Sequence, residues 1–174
     1  MGNNLMPDKT DIQGGEINMK NPISYMERTR LYYRAQGFNH DYKWAHHLST
    51  PFEPLAKPLS TCTVTVVTTG VMDATIPKPV RKAMSIPFVQ TPKSFDTSEV
   101  AWDRETTHTN DRGSYFPLET LTELVEDKTI AAMAARFHFV PTQYSHRATM
   151  EEDAPVIRDA CLNDAVDIAI LIPL

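Results

Sequence analysis

The sequence predicts an α/β fold: an open, mainly parallel sheet with flanking helices, present here in part, with its C-terminal portion missing. Three observations carry that expectation. The run Thr63-Val64-Thr65-Val66-Val67-Thr68-Thr69 is β-branched throughout and ends at Gly70, as a strand covered on both faces would be. Leu118, Leu121, Leu124 and Val125 recur at helical spacing behind Pro117. Ala165-Val166-Asp167-Ile168-Ala169-Ile170-Leu171-Ile172 is a near-continuous apolar run of the buried parallel type. Strand, helix, strand, helix, strand in that order argues for right-handed crossovers and for ligand sites at the carboxyl ends of the strands.

The elements follow in order. Residues 1–20 mix Gly, Asn, Asp and Lys with little apolar periodicity and read as a flexible leader, leaving 21–174 as the α/β domain. Ser24-Tyr25-Met26-Glu27 has the spacing of a capping box, and Gly37 stands where a helix needs a left-handed terminator, so residues 25–36 are expected to be helical. Tyr25, Tyr32 and Tyr33 then offer a broad aromatic face. Asp41 to Pro58 holds Trp44, His46, His47, Phe52 and three prolines, which predicts an ordered strap without long helix. Four prolines between Val71 and Phe95 leave that segment without an assigned element. A helix over 117–128 starts with Pro117 in its first turn, and Ile130 to Val140 follows as a strand. Thr149-Met150-Glu151-Glu152 is a second capping-box pattern, with Pro155 able to move the start inward, and that helix runs to about Asn163.

A chain of 174 residues with 41% apolar residues suits one domain with one core. The net charge of −5 and the lack of a basic run argue against nucleic acid as a partner. No apolar stretch has signal-peptide or transmembrane length, so a cytoplasmic protein without a membrane partner is expected. Met6 occupies the position where a myristoylation motif needs Ser or Thr. Cys62, at the start of a strand, and Cys161, within a helix, are too few and too far apart for a disulfide scaffold or a thiolate zinc site, and each reads as a small buried hydrophobe.

The last strand runs straight into Pro173-Leu174. In a parallel sheet a central strand feeds another crossover helix, and without one a face of the sheet lies bare or takes a partner chain. A cloning boundary or a short edge strand is one reading of this ending. The other is termination at a codon that ordinarily encodes a residue.

Several short stretches agree, in order, with one family. Tyr25-Met26-Glu27-Arg28-Thr29-Arg30, Tyr42-Lys43-Trp44-Ala45, Pro51-Phe52-Glu53-Pro54-Leu55, Lys57-Pro58-Leu59-Ser60 and Val67-Thr68-Thr69-Gly70 form the first set. Asp103 to Arg112, Ser114-Tyr115-Phe116-Pro117, Pro141 to Arg147, Glu151-Glu152-Asp153-Ala154-Pro155 and the terminal strand extend it, so that it spans roughly residues 24 to 174. Together they resemble the selenoprotein B family of the glycine, sarcosine, betaine and proline reductases, in its short form.

The resemblance implies an oxidoreductase. In that family the strand matching Asp167 to Leu174 is followed at once by selenocysteine, or by cysteine in some members. The catalytic nucleophile is therefore expected just after Leu174, with UGA as the codon there, and the chain as written is expected to lack turnover. A selenol or thiol between a strand's carboxyl end and a helix's amino end is stabilised as the anion. It attacks the carbon bearing an amino group and is restored by a thioredoxin-like or other dithiol partner. The substrate is a small amine or amino-acid-like molecule, held in the larger enzymes by a pyruvoyl group on a partner subunit. Beyond the expected selenocysteine no cofactor or metal is assigned to this chain.

Two polar clusters are the candidate substrate pocket. Asp103, Arg104, Glu105, His108, Asp111 and Arg112 crowd ten positions, with His108 and Arg112 at i, i+4 spacing; Arg suits a carboxylate and His an acid or base. Spacing alone favours a solvated loop with weak ion pairs, and the resemblance turns that balance modestly. His138, Tyr144, Ser145, His146 and Arg147 follow a core strand, where such sheets hold ligands, although a hydrogen-bonded connection accounts for them equally well. Arg136 is either a buried charge with a carboxylate partner or an edge residue facing water. Two rival classes stand beside the reductase. One is a metal-dependent hydrolase using His46, His47, His108, His138, His146, Asp103 and Asp111, for which no H-x-x-x-H spacing speaks. The other is a non-catalytic module whose bare last strand pairs with another chain or a second copy.

Overall fold

A computed structural model describes residues 24–41, 43–73, 75–77, 80–98, 105–142 and 145–173. The leader expected over 1–20 lies outside the described residues. The chain divides into two units, one ending at Pro51 and the other running from Phe52 to Leu174.

In the first unit, α1 (Tyr25–Ala35) begins without the expected capping box: the Ser24 side chain makes no cap hydrogen bond, and Glu27 instead lies 3.6 Å from Arg30. Its end is as read. Gly37 sits at φ +86°, its N–H donates to Arg34 O at 3.0 Å, and Phe38 N–H reaches Tyr33 O at 3.2 Å. That is a Schellman motif, completed by an edge-on contact of the Phe38 and Tyr33 rings with centroids 5.6 Å apart. The strap behind it is tied by a bidentate Arg34–Asp41 pair at 2.7 and 2.6 Å and by Arg30 standing 5.3 Å over the Trp44 ring. Tyr25 is exposed rather than part of a docking face.

The second unit is built on β1 (Thr63–Thr68), the central strand. One edge of β1 pairs in parallel with β3 (Ala132–Met133) and then β4 (Arg136–Phe139), and the other with β5 (Ile168–Ile172). β2 (Met84–Pro87) adds antiparallel to the far side of β4. The sheet is thus open, mixed and mostly parallel, with α2 (Leu118–Glu126) and a helix over residues 146–163 between its strands in the chain. Among the described residues no helix is long and apolar enough to cross a membrane.

Alternation along the strands sends side chains to two faces. Val64 and Val66 of β1, Phe137 and Phe139 of β4, Ile86 of β2 and Ile168, Ile170 and Ile172 of β5 join one apolar cluster with Phe88, Phe95, Tyr115, Phe116, Leu121 and Ile130. Thr65, Val67, Arg136 and His138 turn the other way, beneath α4 (Ala154–Asn163).

Four elements differ from the sequence reading, each for a physical reason. The strand expected over 130–140 is two strands, because its offset from β1 grows by two residues between Met133↔Val64 and His138↔Val67. The extra length is taken up at Ala134–Ala135, where Ala135 O accepts Phe88 N–H at 3.2 Å and the Thr65 hydroxyl donates to Arg136 O at 2.6 Å. The proline-rich segment contains β2, whose one proline, Pro87, closes the strand, a position a missing N–H permits. The last helix starts earlier than expected: Ser145 caps α3 (His146–Ala148) by accepting Ala148 N–H at 3.2 Å, and a π-turn (Thr149–Asp153) carries the chain into α4. Widening the turn relieves the clash between the Pro155 ring and the preceding carbonyls, so the proline neither breaks the helix nor moves its start inward. Finally, β5 is parallel as expected but half covered, alternating partly buried and exposed residues, and among the described residues it pairs only with β1.

Candidate functional site

The carboxyl ends of the parallel strands form a row: Phe139 of β4, Thr68 of β1 and Ile172 of β5 stand side by side in register, with Met84 of β2 beyond Phe139. The segment leaving β1 turns at once. The Thr68 hydroxyl accepts Gly70 N–H at 3.0 Å, and Val71 bridges to Asp96. Gly70 has a steric reason to be glycine, since a Cβ there would lie 2.9 Å from the Phe95 ring. Val140 to Thr142 leave β4 from the same edge, and Ser145 caps the helix that comes next in the chain.

Of the first predicted cluster, Asp103 and Arg104 lie outside the described residues. His108 is exposed, and its Nδ1 accepts Asn110 N–H at 3.4 Å. Asp111 caps a short 3-10 turn, Arg112–Ser114, by accepting Gly113 N–H at 2.9 Å. His108 and Arg112 therefore do not share a helix. Arg112 donates to Pro92 O at 2.7 Å and pairs with Glu119 of α2. Lys93, Asp111, Arg112, Gly113 and Glu119 line an open cleft of about 420 Å³.

The second cluster separates. Tyr144 lies outside the described residues, Ser145 is spent as a cap, and Arg147 is exposed, with Glu151 at 3.1 Å and Glu152 at 3.7 Å. His138 is not in the connection at all. It is fully buried in β4, between Ser85 Oγ at 2.9 Å from its Nδ1 and Cys161 Sγ at 3.4 Å from its Nε2. Two residues earlier, Arg136 makes a bidentate pair with Asp164 at 2.8 Å on both arms; it has the carboxylate partner of the first reading but is a third exposed rather than buried. The partners of Arg112 and of His138 belong to different layers.

Serine, histidine and cysteine in a row have the connectivity of a nucleophile, base and orienting group. Their electrostatics point the other way. Burial and the nearby Arg136 cation lower the His138 pKa, so the ring is neutral at physiological pH. Burial, followed by the Asp164 carboxylate, raises the Cys161 pKa and keeps the thiol protonated. The row is a neutral hydrogen-bond chain that satisfies a buried imidazole. Cys62, fully buried, directs its thiol at Pro58 O, 3.5 Å away.

Sequence reasoning missed this row and one further group. Ser85 and Cys161 stand 53 and 23 residues from His138, and no local spacing signals the contact. Asp153 is buried, with Oδ1 accepting Ala83 N–H at 3.1 Å and Oδ2 without a partner among the described residues. In the sequence it belongs to the stretch Glu151-Glu152-Asp153-Ala154-Pro155 that carries part of the family resemblance, with no site role assigned to it. Among the described residues no three of His, Cys, Asp or Glu converge as metal ligands, which leaves the hydrolase reading without a ligand set there. Comparison with protein-family models, with curated proteins and with solved structures returns no match to this chain.

Proposed function

We propose that this chain is the N-terminal portion of a selenol- or thiol-dependent reductase resembling selenoprotein B, with its nucleophile carried by the residue after Leu174. Its substrate is a small amine or amino-acid-like molecule, cleaved at the carbon bearing nitrogen. One observation carries the reading: Ile172 stands beside Thr68, and Thr68 beside Phe139, so whatever follows β5 emerges at the edge from which the β1 and β4 connections leave. Open parallel sheets hold their ligands at that edge. The two thiols of the chain support the reading from the other side. Cys62 is sealed in the core, and burial raises the pKa of the Cys161 thiol, so neither suits the role of nucleophile, in keeping with one carried elsewhere.

In this reading the Arg112 cleft and the residues at the end of β4, from Val140 to Thr142, shape the pocket. A thioredoxin-like dithiol resets the nucleophile, a pyruvoyl-bearing subunit is a possible second partner, and the reducing cytoplasm keeps the chalcogen available. The test is to read the codon after Leu174 and to express the continued chain with selenocysteine or cysteine at that position. Dithiol-dependent cleavage of glycine, sarcosine, betaine or D-proline is expected from the continued chain, lost on alkylation of that one residue, and not from the 174-residue form. A UAA or UAG codon, or activity of the 174-residue form that maps to Cys161, would overturn the proposal.

A second reading has its own observation. Leu171 is 74% exposed on the face of β5 away from the core, which suits a non-catalytic module that covers this strand with another copy. A monodisperse homo-oligomer with no redox activity in the continued chain would favour it.

A further inference from the structure

We infer that Asp153 is the contact residue for a protonated primary or secondary amine at the carboxyl edge of the sheet. The assignment rests on the reductase reading only in identifying that amine as the substrate's.

An ionised carboxylate has room for about four hydrogen bonds, and burying one that is half satisfied is costly. Asp153 is 5% exposed, yet only Oδ1 has a partner, the Ala83 N–H at 3.1 Å, while Oδ2 has none among the described residues. The bland role for an acid at this position would be to cap α4, but its side chain makes no cap hydrogen bond. Its place in the fold is specific. Ala83 immediately precedes Met84, which stands opposite Phe139, the last residue of β4, so Asp153 lies at the end of the sheet where the connections leave. The residue closes the π-turn, a local widening that recurs at functional sites.

Oδ2 stands without a hydrogen-bond partner among the described residues, and a cationic N–H donor would give it a charge-assisted bond. A metal ion would need further ligands that the described residues do not bring together. A primary or secondary ammonium fits. A quaternary ammonium does not, because it has no hydrogen to give to Oδ2. The side chain is covered, so binding goes with a local opening next to the π-turn, where helical hydrogen bonding is already irregular.

The test uses the 174-residue chain, ¹⁵N-labelled, titrated with glycine, sarcosine and betaine as probes while the Ala83 amide is followed by NMR. Glycine and sarcosine are expected to shift it saturably and betaine to leave it unmoved. Asp153→Asn, which puts an NH₂ or a neutral oxygen in place of the carboxylate, is expected to weaken glycine binding at least tenfold. Should that variant fail to fold, the glycine–betaine contrast in the unaltered chain still decides. Equal shifts with betaine, no saturable shift at Ala83, or unchanged glycine affinity in Asp153→Asn would overturn the assignment. The two readings separate in the continued chain. Reductase activity with an unaltered KM for glycine in Asp153→Asn removes the subsite and keeps the reductase, whereas amine binding through Asp153 without any reductase activity does the reverse.

Discussion

Phe137 and His138 are neighbours in one strand, both fully buried, and they sit in opposite kinds of interior. Phe137 meets the rings of Phe88, Phe95 and Phe116 at centroid distances of 5.4, 6.2 and 4.9 Å, contacts made between apolar rings. His138 faces Ser85, Cys161 and the partly exposed Arg136–Asp164 pair, and its buried ring is tolerated because both of its nitrogens have a partner. One face of the sheet is held by area and packing, the other by a short list of specific bonds. The candidate chemistry borders the second face, and the contrast can be broken or sharpened by substitution.

The largest effect is expected on the apolar face. Phe137→Ala removes a ring from the middle of an aromatic cluster and should destabilise the fold by about 3–5 kcal/mol, read from the denaturant midpoint. A loss under about 1 kcal/mol would mean that the cluster is loosely packed and the contrast false. His138→Leu keeps the volume roughly but strands the Ser85 hydroxyl, for an expected loss of about 1–3 kcal/mol. If it cost as much as Phe137→Ala, the polar face would be the more demanding of the two.

His138 also gives the polar face a pH signature that the apolar face lacks. Its folded-state pKa is lowered by burial and by Arg136, so the unfolded chain takes up a proton first as the pH falls. The contribution is complete above the ordinary histidine value of about 6.5 and is lost as the pH drops from there towards the lowered value. Thermal unfolding followed between pH 8 and pH 5 should show that decline, and His138→Leu should flatten it. A decline of the same depth in the variant would assign it to other groups. The Arg136–Asp164 pair acts lower. The guanidinium, ahead of the opposing effect of burial, holds the Asp164 carboxylate below its usual range. Its contribution is therefore present above the unfolded carboxylate value and lost as the pH falls through the lowered one. Because Arg136 is a third exposed, Asp164→Asn is expected to cost only about 1 kcal/mol.

The same contrast explains what could be read from the sequence. The apolar face announces itself, because period-2 and helical spacing are local signals: β1, α2 and β5 all lie where the pattern puts them, and the open, mostly parallel sheet follows. The polar face is written in long-range coincidences. Cys161 looks like any helical residue until the fold lays it 3.4 Å from His138, and Arg136 has no visible partner until Asp164 arrives from the end of α4. β2 was hidden for a different reason. Its segment is proline-rich, and only the antiparallel partner in β4 makes a strand of four residues worth forming. The Arg-rich and His-rich clusters are conspicuous by composition, yet Arg112, Asp111 and Ser145 are largely committed to turns and caps, whereas the less conspicuous Asp153 keeps an oxygen without a partner among the described residues.

The smallest effect is expected at β5, where the two faces of the sheet diverge most. Ile168, Ile170 and Ile172 pack against the apolar cluster, but Leu171, between them, is 74% exposed on the other side. If that side is open in solution, Leu171→Ser removes an apolar group already in water and should change stability by no more than about 0.5 kcal/mol. The same substitution in an assembled protein would behave as an interface truncation. A loss well above that, rising with protein concentration, would mean that a second copy covers β5 and that the polar face is completed by assembly. Unfolding at two concentrations a hundredfold apart separates the outcomes: a midpoint independent of concentration leaves the carboxyl edge of β5 accessible to whatever follows it, as the reductase reading requires.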